Sequence, residues 1–226
     1  MSFDTKTLEH FADSSAAAAY VVEQVSTACK QAVEQRGVFH WVLAGGSTPE
    51  ASYRLLRDAD LPWQAVHVWF GDERALKKGH PDRNETMARD ALLDHVVIPK
   101  DNIHTIDFPA STADAASDYA QAMSVVPSFD LVLLGMGEDG HTASLFPNNA
   151  ALGGKTLAVP VYESPKPPSE RVSMSLNALN NSHQTIILAT GASKSEVLKS
   201  IVQGDDLPVT HITDATWVVD QAAWPT

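Results

Sequence analysis

Residues 129–147, Phe-Asp-Leu-Val-Leu-Leu-Gly-Met-Gly-Glu-Asp-Gly-His-Thr-Ala-Ser-Leu-Phe-Pro, constrain this chain more than any other stretch. Positions 131–134 form a short, continuously apolar run, the pattern of a strand covered on both faces in a parallel sheet. Gly135, Gly137 and Gly140 then permit backbone angles and close approaches that a Cβ forbids. The turn delivers Asp139 and His141 to the carboxyl end of the strand, where open α/β sheets bind ligands. The same residues spell G-x-G-x-x-G. A dinucleotide site needs a helix directly after the turn, with its N-terminus facing pyrophosphate. Here Pro147-Asn148-Asn149 and Gly153-Gly154 interrupt the following residues, and Glu138 and Asp139 would repel the phosphates. The titratable His at this turn is instead a candidate catalyst.

The remaining sequence alternates helix and strand patterns with no internal repeat. A helix is expected over 14–36, capped by Asp13 or Ser14 and stopped by Gly37. A strand at 38–43 leads into Ala44-Gly45-Gly46-Ser47-Thr48-Pro49, and Pro49 suits the first turn of a helix over 49–58. Strand 66–70 ends at Gly71-Asp72-Glu73-Arg74. Helix 83–93, a short strand near 103–105, helix 111–125 and strand 130–134 follow. Strands at 156–161, 171–176 and 184–189, helix 192–203 and a strand at 217–220 complete the pattern. This rhythm predicts an α/β fold with a mostly parallel sheet and helices on both faces. The Pro-rich stretch 165–168 reads as an exposed loop rather than a boundary, so the 226 residues are expected to form a single domain, 1–226.

A net charge of −12 argues against sequence-independent nucleic-acid binding, which needs Lys and Arg to displace phosphate counterions. A small anion remains a fitting partner where cations gather. Arg74, Lys77, Lys78 and Arg83 share one segment, with Lys77 and Lys78 read as a solvated loop, while Arg171 and Lys194 fall near strand ends. Cys29 is the only cysteine, which excludes an internal disulfide framework and agrees with a reducing compartment; it sits on an apolar helical face. Residues 1–9 hold no apolar signal region, and no stretch approaches the ~20 apolar residues of a membrane span, so a cytoplasmic location is expected. The triplets Asn84-Glu85-Thr86 and Asn180-Asn181-Ser182 are accordingly read as chance matches to a glycosylation signal. The nine His show no His-x-x-x-His spacing, and no metal or other cofactor is expected.

Three strand ends carry unusual chemistry and are expected on one sheet edge. Gly45-Gly46-Ser47-Thr48 before a helix suits an oxyanion or phosphate cradle, because bare amides, hydroxyls and the helix N-terminus all favour negative charge; a plain turn with a hydroxyl cap is the competing reading. Asp72-Glu73-Arg74 sets two carboxylates and a guanidinium after a strand, where a surface ion pair is the alternative. Arg171 opens a strand and Lys194 follows Gly191 into a helix, both at ends suited to phosphate.

Taken in order, Leu43-Ala44-Gly45-Gly46-Ser47-Thr48-Pro49, Trp69-Phe70-Gly71-Asp72-Glu73-Arg74, Asn84-Glu85-Thr86 and the run from Leu134 to Pro147 resemble the 6-phosphogluconolactonase family of the oxidative pentose phosphate pathway. Arg171-Val172-Ser173 and Gly191-Ala192-Ser193-Lys194 extend the likeness, although Ser173 stands where Thr is commoner. The resemblance implies a three-layer αβα sandwich shared with aminosugar-phosphate deaminases and ribose-phosphate isomerases, no metal, and hydrolysis of 6-phospho-D-glucono-1,5-lactone. On that reading His141 is the general base on water, and Asp139 or Asp72 holds its tautomer. The Gly45-Gly46 amides or Arg74 face the oxyanion, with Ser47 and Thr48 in the same cradle, and Arg171 and Lys194 grip the phosphate. The implied partner is a small sugar-phosphate lactone, with no nucleic acid, membrane or obligate protein partner. Deaminases share Asp-Gly-His, but follow it with Phe-Asn-Glu and carry Asp-Glu-Tyr where this chain has Asp72-Glu73-Arg74. A non-catalytic sugar-phosphate sensor would bring a helix-turn-helix and a basic face, which this acidic chain lacks.

Overall fold

The computed structural model describes residues 8–224; residues 1–7 of the polar opening segment lie outside it. Apolar runs become strands of one parallel sheet because both faces are covered. β1 (Leu8–Phe11), β2 (Phe39–Leu43), β3 (Val66–Phe70), β5 (Leu131–Gly135), β8 (Thr185–Ala189) and β9 (Ala215–Asp220) form it, in the order β1-β9-β8-β5-β2-β3. β8 is buried at every residue.

Two tryptophans show how the layers are built. Trp41 of β2 and Trp69 of β3 point to opposite faces, since Trp69 pairs in register with Val42, the next residue along from Trp41. Trp41 meets Tyr53 of α2 (Ser47–Leu56) edge-on at 5.7 Å, and Trp69 lies 6.0 Å from Tyr119 of α4 (Thr112–Met123). Both tyrosines tie their helices to strand ends: the Tyr53 hydroxyl bonds the N–H and C=O of Ala44, and that of Tyr119 bonds those of Phe70. α1 (Ser14–Arg36) packs beside α2; Asp13 caps its start and Gly37, at φ 75°, returns its N–H to Val33. The sheet therefore lies between two helical layers. α3 (Asn84–Ala88) runs directly into a π-helical turn at Arg89–Leu93, and the shorter α5 (Leu176–Leu179) and α6 (Ser195–Gln203) come later in the chain.

Two expectations are corrected. The strands expected at 156–161 and 171–176 do not join the parallel sheet. As β6 (Ala158–Val161) and β7 (Arg171–Met174) they pair antiparallel across the 162–170 loop and pack on α4. β4 (Asp72–Arg74) completes that second sheet, in the order β4-β7-β6. Arg171 therefore opens a strand of a different sheet from the one that carries His141. The strand expected near 103–105 is a single bridge between Ile103 and Val68. Buried apolar side chains from Ala17 to Ala223 form one continuous cluster. Among the described residues no helix is long and apolar enough to cross a membrane.

Candidate active site

β8, β5 and β2 are neighbours, so their carboxyl ends set three turns side by side. After β2 comes the Gly45-Gly46 turn into α2, whose cap, Gly46 at φ 109°, has no side chain to offer and leaves the first-turn amides uncapped. After β8 come Thr190 and a short turn, Ala192–Lys194. The Thr48 and Thr190 hydroxyls join the two ends at 2.7 Å. The loop after β5 lies between them.

That loop binds His141 to Asp139. The His141 Nδ1 and Asp139 Oδ1 atoms are 2.5 Å apart, and the His141 backbone N–H donates to the same oxygen at 3.2 Å. The Gly137 N–H donates to the His141 carbonyl at 2.8 Å. A Cβ on Gly137 would lie 2.0 Å from His141 Nδ1, so the ring sits where only glycine lets it. The imidazole is 15% exposed and lies 4.5 Å from the Phe146 ring. Its Nε2 has no hydrogen-bond partner among the described residues. Burial pushes the His141 pKa down, Asp139 and Asp72 pull it up and Lys166 pushes it down, with a net lowering. Burial pushes the Asp139 carboxyl up, but its hydrogen bonds to His141 and the imidazole's charge prevail and hold it below its ordinary value. Both directions describe an ionised Asp139 beside a neutral imidazole near pH 7.

Asp72 and Glu73 do different work from Asp139. Asp72 is buried; its Oδ1 accepts from Asn84 Nδ2 at 3.0 Å and its Oδ2 from the Ser144 hydroxyl. Both its oxygens are thus engaged, and the carboxylate that meets the His141 ring is that of Asp139. Glu73, 1% exposed, accepts from the backbone N–H groups of Arg74, Asn84 and Glu85, each at 2.8 Å, and so caps α3. Burial raises its pKa against those bonds and the Arg83 charge. Arg83 is itself buried between Glu73, Glu85 and the carbonyls of Leu76 and Ile106. It is a structural cation, whereas Lys77 and Lys78 are exposed. Gly45 has a packing reason: a Cβ there would lie 2.2 Å from Asn84 Oδ1.

Arg74 and Arg171 face each other across β4 and β7. Arg74 donates through Nη1 to the Asp82 carbonyl, and its Nε is buried without a partner. Arg171 is 4% exposed, with its guanidinium 5.5 Å from the Phe146 ring. Burial pushes its pKa down, Asp72 pulls it up, and Arg74 adds to the depression. Lys194 is half-buried; burial lowers its pKa, Glu138 and Asp139 oppose this, and Lys166 reinforces it. Among the described residues no group of three or more His, Cys, Asp or Glu is placed to hold a metal ion.

Residues 12–224 match the family model described as glucosamine-6-phosphate isomerases/6-phosphogluconolactonase. The chain belongs to this family. The 6-phosphogluconolactonase of Nostoc sp. is 36% identical over 234 residues, covering 96% of this chain and 97% of the relative. A crystal structure of 6-phosphogluconolactonase from Thermotoga maritima matches with a TM-score of 0.87 at 29% identity, covering 95% of this chain and 99% of that one. A monomeric glucosamine-6-phosphate deaminase matches with a TM-score of 0.83 at 20% identity, covering 96% and 98%, a likeness of fold. Within the family's fold, sequence reasoning left Asn84, Ser144 and Phe146 without roles, although all three lie in the motifs that carried the resemblance. Their contacts to Asp72, His141 and Arg171 arise from three separated segments, and only the assembled fold brings these together. Lys166 carried no signal beyond its place in a Pro-rich loop.

Proposed function

We propose that this protein hydrolyses 6-phospho-D-glucono-1,5-lactone to 6-phospho-D-gluconate in the oxidative pentose phosphate pathway. The curated relative from Nostoc and the solved Thermotoga structure, both named 6-phosphogluconolactonase, support the substrate. The observation that carries the chemistry is the half-buried His141, its Nδ1 tied to Asp139 and its Nε2 unpartnered. Burial keeps the imidazole neutral near pH 7, so Nε2 can accept a proton. Water attacks the lactone carbonyl carbon as His141 Nε2 takes its proton, and the carbonyl electrons move onto oxygen. The uncapped amides of Gly46, Ser47 and Thr48 and the Arg74 guanidinium face that oxyanion. Collapse breaks the bond to the ring oxygen, which receives the proton from His141. Asp139 keeps Nε2 as the basic nitrogen throughout. Lys194 binds the phosphate and fixes the carbonyl carbon against the His. A cytoplasmic setting belongs to the same reading, since Cys29 is a buried free thiol whose pKa burial pushes up to about 12, fitting a reducing compartment.

The test supplies freshly made 6-phosphogluconolactone and follows 6-phosphogluconate through its dehydrogenase, with glucosamine 6-phosphate in parallel. Acceleration on the first and no ammonia from the second is expected; the reverse overturns the reading. His141→Asn should lose about 10²–10⁴ of the acceleration with little change in Tm. A folded variant with near-full kcat would remove His141 from the mechanism.

A further inference from the structure

The resemblance implies that Arg171 and Lys194 together grip the substrate phosphate, but the Arg171 donors are already engaged. Its Nε donates to the Pro168 carbonyl at 3.3 Å, and its Nη2 to the carbonyls of Lys166 at 2.9 Å and Pro167 at 3.2 Å. Nη1 reaches the Ser144 hydroxyl at 3.5 Å. Of the five N–H groups of a guanidinium, these contacts leave one, too few for a two-pronged grip on phosphate. What Arg171 holds is the loop 164–169. That loop is closed at its neck by the Ser164 N–H to the Ser169 carbonyl at 2.9 Å, and inside it the Ser164 hydroxyl donates to the Lys166 carbonyl at 2.8 Å. Pro165, Pro167 and Pro168 restrict its backbone, so the Lys166 side chain stands on a stiff support.

The Lys166 ammonium has no carboxylate within 4.0 Å among the described residues, and its charge lies close enough to His141 and Lys194 to depress both their pKa values. Two ammonium groups that repel each other beside a catalytic imidazole form a site for a doubly charged anion, which relieves that repulsion. The phosphate of the substrate is such an anion.

We propose that Lys166 is a substrate-binding residue that takes the phosphate together with Lys194, and that Arg171 is a positioning residue that acts by holding the Lys166 loop. The assignment rests on the lactonase reading for its substrate and on the loop geometry for its residues. It is tested with kcat/KM on 6-phosphogluconolactone and on plain gluconolactone for the parent, Lys166→Met, Arg171→Met and the double variant. The expected result is a loss of about ten- to hundred-fold in preference for the phosphorylated lactone in Lys166→Met, with no further loss of preference when Arg171→Met is added. An undiminished preference in Lys166→Met overturns the proposal. Losses that multiply in the double variant overturn the role of Arg171, because they mean it binds phosphate itself. If Arg171→Met does not fold, Arg171→Lys decides the same point in the same double-variant cycle: a lysine can neither span three carbonyls nor grip phosphate with two prongs, so positioning predicts no loss of preference beyond that of Lys166→Met when the two are combined, and direct binding predicts a further loss. Titration with inorganic phosphate, read by ³¹P NMR, separates this from the activity. Phosphate affinity that falls about ten-fold in Lys166→Met supports the anion site even if the parent opens no lactone, and unchanged affinity overturns it.

Discussion

Asp139 and His141 are two residues apart on one tight loop, and this short link makes their coupling testable. The Asp139 charge pulls the His141 pKa up while burial pushes it down. Replacing Asp139 with Asn removes the upward pull, so the His141 pKa should fall further. The acid limb of kcat/KM should then move to lower pH while the plateau drops by roughly 10²–10⁴, because a neutral amide can hold either imidazole tautomer. A pH profile of the variant decides the matter, and an acid limb displaced upward would contradict the electrostatics. Gly137 offers an independent check. A Cβ there would lie 2.0 and 2.1 Å from His141 ring atoms and 2.6 Å from Asp139 Oδ1, so Gly137→Ala must turn the ring or shift the carboxylate. A displacement of about 1 Å is worth on the order of 10²-fold in rate. Activity should fall by that amount while circular dichroism stays that of the parent; full activity would show that the ring position is not critical.

Between elements, β2, β3 and the segment after the Ile103 bridge hold three imidazoles away from the active site. His40 and His67 pair in register, His67 Nδ1 lies 3.1 Å from His104 Nε2, and Trp69 stacks on His104 at 3.8 Å while donating to His40 Nδ1 at 3.1 Å. Burial and mutual repulsion lower the pKa of His40, burial lowers that of His67, and His104 falls to about 4 by burial with the other two adding to it. Only Asp130, which accepts from the His40 N–H at 2.7 Å and pairs with Arg36, opposes this at His40. Since these pKa values are depressed on folding, the unfolded chain binds more protons between about pH 4 and 6.5, and stability is lost as pH falls through that window. Tm should therefore drop between pH 7 and pH 5, and less so in His104→Gln; an equal drop in both would clear the cluster of responsibility. The same strands show what the sequence reveals. The run 131–134 is legible because burial on both faces demands apolar residues throughout. β4 is illegible, since Asp72, Glu73 and Arg74 disfavour a strand and are held in one by β7, Asn84 and Ser144, all distant in sequence. β6 and β7 are legible as strands, but the sheet they join is not, because residue pattern carries no record of pairing partner. In the site, the placing of Asp139 and His141 on one turn is legible from its own residues, but which carboxylate meets the ring is not, and the engagement of Arg171 depends on three backbone carbonyls that no residue pattern announces.

Across the whole molecule, the described strands nearest the two chain ends are neighbours, with Leu8 opposite Trp217 and Phe11 opposite Asp220. β1 is short and partly exposed, and it shields the otherwise open flank of β9, whose residues are mostly buried. Deleting residues through Phe11 should bare that flank as an apolar edge and give concentration-dependent association in light scattering. A variant whose scattering rises no more with concentration than that of the parent would show that β1 is dispensable as a cover. The pairing also has a consequence during translation. Leu8 emerges from the ribosome long before Trp217, and at ~5–20 residues per second the gap is roughly 10 to 40 s. For that interval β1 has no native partner to find, so the sheet cannot grow from its first strand. It must assemble from the interior and be closed, last of all, by the segment made near the beginning.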